Sequence, residues 1–229
     1  MNRLIKWLDN YWYHYRWHTL IVSFFLVVGV ICTVQMLNKE EYDVYALYSG
    51  GKYFTVDEQK AVEEAFSYVI EDYDGNGEKN ACLTRIVVLS AEELKQKQEE
   101  ANAENENLAY NFESRTDAIE QLSMELMTGQ SYVCFFSEGM YDQVKDKDRF
   151  VTLDSIFDTV PEGAVDECAV RLSETNFGSY FSEALSVMGE DTVVCLRKIS
   201  VQDAGSDKKT EEYENHTEFF KKIIEFKVK

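Results

Sequence analysis

The chain has 229 residues and carries 23 Lys and Arg against 42 Asp and Glu, a formal net charge of −19. So acidic a chain is not expected to bind nucleic acid, which needs a basic surface to neutralise phosphates, nor to sit on anionic lipid through a polybasic face. Its hydrophobic fraction of 45% is ordinary for a folded protein and excludes wholesale disorder.

The N-terminal region is a membrane segment with an aromatic approach. Leu20 to Leu37 is an uncharged apolar run. As a helix it spans roughly 27 Å, close to a hydrocarbon core of about 30 Å. It is longer than a signal-peptide core, and no small-x-small cleavage site follows, so an uncleaved signal anchor is the reading. Residues 1–18 hold Arg3, Lys6 and Arg16 against Asp9, a net of +2, whereas residues 39–229 hold 20 basic and 41 acidic residues, a net of −21. The positive-inside rule then places the N-terminus in the cytoplasm and the C-terminal part outside the cell membrane. Trp7, Trp12 and Trp17, with Tyr11, Tyr13 and Tyr15 between them, suit the headgroup layer, where a ring with one polar handle is at home. The same belt is alternatively a docking helix for a partner subunit. The division is therefore 1–18 cytoplasmic, 19–37 transmembrane and 38–229 extracytoplasmic.

In the outer part, Tyr42 to Tyr48 reads as a strand broken by Ser49-Gly50-Gly51. Val62, Ala65, Phe66, Val69 and Ile70 form one helical face within about 57–72. Cys82 to Leu89 is a second strand, and Ser90 with Glu93 is a capping-box signal. Residues 92–107 have no apolar stripe and read as an exposed, solvated helix. Ile119, Leu122, Leu126 and Met127 mark a helix ended by Gly129. Tyr132 to Phe136 suits a strand buried on both faces. A short helix over 140–144, strands over 168–172 and 192–196 with a helical stretch 176–188 between them, and a last helix through Tyr213, Thr217, Phe220 and Ile224 complete the pattern. Strands alternating with helices predict one α/β sandwich domain with a mostly parallel sheet.

Cys82, Cys134, Cys168 and Cys195 each fall in a predicted strand, and Cys32 in the span. No C-x-x-C occurs, so zinc-ribbon and thioredoxin-like chemistry have no support. Two readings stand, free buried thiols and strand-to-strand disulfides in an oxidising compartment, and the first is preferred because disulfide frameworks belong to smaller domains. Asp72, Asp74 and Asn76, with Gly77 next, match the first half of a calcium loop, where oxygen ligands alternate and glycine allows the turn. Position 12 is Leu83 instead of a bidentate Glu. The other reading is a tight polar turn without metal, so no cofactor is assigned. Enzyme signatures are missing: His216 is the one histidine of the outer part, it falls on the polar side of the last helix, and no nucleophile, metal-protease or phosphate-loop motif appears.

From Met124 the chain reads MELMTGQSYVCFFSEGMYDQV, then FVTLDSIF from Phe150. Glu125, Leu126, Gly129, Leu153 and Asp154 carry a resemblance to one stretch of bacterial extracellular solute-binding proteins of ABC importers. The chain as a whole is similar to small membrane-anchored proteins of Gram-positive bacteria. The resemblance implies a single lobe of the periplasmic-binding-protein fold and a ligand-facing position near Ser137-Glu138. It departs from that family in having room for one lobe only and a transmembrane helix in place of a lipidated cysteine. The expectation is a non-enzymatic, membrane-anchored binding module for a small molecule or an envelope protein. Its contacts would lie just beyond the strands, at Ser49, Gly50, Gly51, Ser137 and Glu138. The alternative is an accessory subunit of an envelope complex, recognised through its N-terminal helix and span.

Overall fold

A computed structural model describes residues 2–37, 42–103, 112–145 and 148–228. Contacts divide the chain into two units, residues 1–41 and 42–229. The first is one unbroken helix, α1 (Asn2–Leu37). Its stretch Tyr11–Val34 is long and apolar enough to cross a membrane. On its N-terminal half Trp7 stacks on Tyr11 at 5.8 Å and Tyr11 on Tyr15 at 5.4 Å, because residues four apart share a helix face.

The second unit runs β1 (Val44–Gly50), α2 (Val56–Ser67), β2 (Ala81–Val87), α3 (Ala91–Ala103), α4 (Phe112–Thr128), β3 (Val133–Ser137), α5 (Glu138–Val144), β4 (Ala169–Arg171), α6 (Asn176–Tyr180), α7 (Ser182–Leu185), β5 (Thr192–Leu196) and α8 (Asp207–Ile224). Capping explains two of the helix starts. Thr55 and Glu58 form a reciprocal capping box at α2, and Ser90 with Glu93 does the same at α3. The exposed helix expected over 92–107 is seen as α3 up to Ala103; residues 104–111 lie outside the described residues. The helical stretch expected over 176–188 is broken into α6, α7 and a 3₁₀ turn.

The five strands form one sheet in the order β2-β1-β3-β5-β4. β1 is parallel to both β2 and β3, while β5 runs antiparallel to β3 and β4. The sheet is thus mostly parallel with one reversed strand. Alternation along the strands feeds two apolar layers. Val44, Ala46, Tyr48, Val133 and Phe135 face the layer that holds Phe66, Phe177, Phe219 and Phe220. Leu47, Cys134, Phe136 and Cys195 face the layer that holds Leu122, Leu126, Met140 and Tyr141. Helices therefore cover both faces.

His216 is not on a polar face. The buried stripe of α8 is His216, Phe219, Phe220 and Ile223, rotated about one residue from the one read through Thr217 and Ile224. His216 Nε2 accepts the Tyr45 N–H at 2.8 Å, and Nδ1 lies 2.6 Å from the Glu212 carbonyl. This is the neutral tautomer with its proton on Nδ1. Arg197 is also buried. It donates to the carbonyls of Ser131, Leu126 and Gly129 at 3.2, 3.1 and 2.7 Å, and its guanidinium lies 4.5 Å from the Tyr132 ring centre. It closes the C-terminal end of α4 from a position just beyond β5.

Peptide groups at both sheet edges have partners outside the sheet. At β2 the Leu83 N–H donates to Glu63 Oε1 at 3.0 Å and its carbonyl accepts from Gln59 Nε2 at 3.2 Å. At β4 the loop 163–165 supplies the partners, through Val165 N to Ala169 O and Arg171 N to Gly163 O.

All five cysteines are free. Cys134 and Cys195 stand directly opposite across β3 and β5. The bond from Arg197 N to Tyr132 O makes that pair hydrogen-bonded, and two residues along the ladder Cys134 and Cys195 hold the same kind of position. Side chains there stand farther apart than in the alternate pairs, which disfavours a disulfide. Burial also pushes the Cys134 thiol up to about 12 and that of Cys195 well above its ordinary value, so neither is a thiolate at neutral pH.

Candidate functional site

β1 leads through α2, on one face of the sheet, to β2. β2 leads through α4, on the other face, to β3 on the far side of β1. The carboxyl ends of β1 and β3 are therefore a topological switch point, where open α/β sheets leave a crevice. The five expected contact residues meet at this edge. They differ from expectation in detail: Ser49, Gly50 and Ser137 are the last residues of β1 and β3, and only Gly51 and Glu138 lie beyond them.

Pleating splits the two serines. Ser49 follows Tyr48 and shares the Leu47 face, whereas Ser137 shares the Phe135 face. Ser49 is fully buried and Ser137 is 4% exposed, yet neither hydroxyl has a hydrogen-bond partner. Buried hydroxyls are normally satisfied, and an unsatisfied one marks a place for water or ligand.

The Tyr48 hydroxyl is the centre of this edge. It donates to the Met188 carbonyl at 3.1 Å. A methyl group at Gly50 would lie 2.7 Å from it and 3.2 Å from Ser137 Cβ. At Gly51 a methyl would meet Leu89 Cδ2 at 2.5 Å, and at Gly139 it would meet Ser90 Oγ at 2.7 Å. These glycines let the protein's own chains approach closely. Burial, above all, pushes the Tyr48 pKa up; the Lys52 amide opposes this, and Asp191 and Glu93 add to it. The phenol stays neutral at physiological pH.

Glu138 is engaged. Its Oε2 is 3.0 Å from Arg171 Nη2, and Arg171 Nε is 3.5 Å from Glu174. Arg171 ends β4, so this pair bridges strand ends across the start of β5. Beside it opens a cleft of about 310 Å³ lined by Leu172, Ser173, Gly178, Ser182, Gly189 and Glu190. Gly189 lies against the Lys52 side chain and Asp191. Sequence reasoning missed Arg171, Lys52 and Asp191 because what unites them is the return of β5 between β3 and β4.

The chain matches no protein-family model, no curated protein and no solved structure.

The acidic loop forms a second cluster. Carboxylate oxygens of Asp43, Asp72 and Asp74 lie within 4.8 Å of one another. Asp43, at the foot of β1, is the member the sequence pattern did not reveal. It accepts the amides of Tyr73, Asp74 and Asn80 at 2.6, 3.3 and 2.9 Å. Asp72 accepts those of Gly75, Asn76 and Gly77, and these bonds, Gly77 first, hold its carboxyl below the usual range. Asp74 takes the Asn76 amide and side chain. Asn76 Oδ1 accepts from Glu78 N. Gly75 and Gly77 have φ of +74° and +89°, which is why glycine stands at both turns. Every carboxylate oxygen of the loop already holds an N–H, which favours the polar turn. Saturating Ca²⁺ is therefore expected to leave the melting temperature of the full chain unchanged. A rise of about 5 °C or more would instead assign the cluster to the ion.

Proposed function

We propose that this protein is a single-pass, membrane-anchored binding module, non-enzymatic, with its N-terminus in the cytoplasm and its α/β domain outside the cell. The domain would derive from one lobe of a solute-binding protein, and its ligand a small molecule held at the carboxyl edge of the sheet. One observation carries the reading: the ends of β1 and β3 meet at the switch point, where the buried Ser137 hydroxyl has no partner. The flanking charges of α1 support the orientation.

The test is a thermal-shift screen of the full chain in nanodiscs against amino acids, sugars and short peptides. A ligand at about 100 times its Kd is expected to raise the melting temperature by roughly 5–11 °C, and Ser137→Val is expected to remove that shift. A library with no such compound would overturn this function.

The second reading, an accessory subunit of an envelope complex, is favoured by the stacked Trp7, Tyr11 and Tyr15 on α1. Exchange of residues 1–37 for an unrelated anchor separates the two. A binding module keeps its ligand shift, whereas an accessory subunit loses its complex.

A further inference from the structure

We draw no further inference here: the strongest candidate, the groove of about 590 Å³ at the C-terminal ends of α2 and α8 lined by Tyr68, Lys79, Lys221, Phe226 and Lys227, carries nothing, because Glu71, Glu218 and Glu225 stand among its lysines and nothing in the structure shows what covers the exposed Tyr68 ring.

Discussion

Replacing Arg197 with methionine is expected to destabilise the domain by a few kcal/mol, about 1–3 kcal/mol for each buried carbonyl left without a donor. Methionine keeps most of the apolar stem but leaves the carbonyls of Leu126, Gly129 and Ser131 without their donor. No carboxylate lies within ion-pair distance of Arg197 among the described residues. Its charge is met by the carbonyls at the end of α4, where a helix favours a cation, and by the face of Tyr132. Lysine is expected to be nearly as damaging, because one ammonium cannot reproduce a planar fork that reaches three oxygens. Denaturant unfolding of the full chain in detergent, followed by near-ultraviolet circular dichroism, measures both variants. A loss below about 1 kcal/mol, the scale of a single neutral hydrogen bond, would show that water replaces the guanidinium without difficulty.

His216 gives the second large expectation, in acid. Burial chiefly pushes its pKa down to about 4 from 6.5. Its Nε2 accepts the Tyr45 amide, so a proton there would set donor against donor. The unfolded chain binds that proton below pH 6.5 and the folded one only near pH 4. The stabilisation is therefore complete above pH 6.5, declines as pH falls through that window, and amounts to about 3 kcal/mol in full. Carboxyls held low by hydrogen bonds, such as Glu58, Glu71 and Asp72, begin to lose their stabilisation as pH falls through their ordinary values near 4, at the acid end of this window. Unfolding free energy measured from pH 7 to pH 5 should therefore fall in the parent and stay nearly flat in His216→Asn, which begins from a lower value. An equal slope in both proteins would remove His216 from the account.

Much of the domain could be read locally. The strands Val44–Gly50 and Val133–Ser137 announce themselves by β-branched and aromatic residues, and the caps at Thr55 and Ser90 by the Glu three positions on. Ser49, Gly50, Gly51, Ser137 and Glu138 could be brought to one edge because strand ends of a parallel sheet share a side. What stayed hidden depends on distant partners. The reversal of β5 follows from its path back between β3 and β4, which no local pattern encodes. Asp43 joins Asp72 across 29 positions, and Arg197 finds Leu126 across 71. His216 was misplaced because Tyr213, Phe220 and Ile224 also fit a helical period, and only packing against β1 chooses between stripes one residue apart.

The closed margins of the sheet bear on how this protein can crowd. An exposed strand is an invitation for a neighbour's backbone, and chains held at one surface are concentrated and aligned. Here the peptide group of Leu83 is already spoken for by Gln59 and Glu63, and β4 by the chain's own loop. A neighbouring copy therefore finds no free peptide group at Leu83 or along the covered part of β4, and the net charge of −21 over residues 39–229 sets copies against one another.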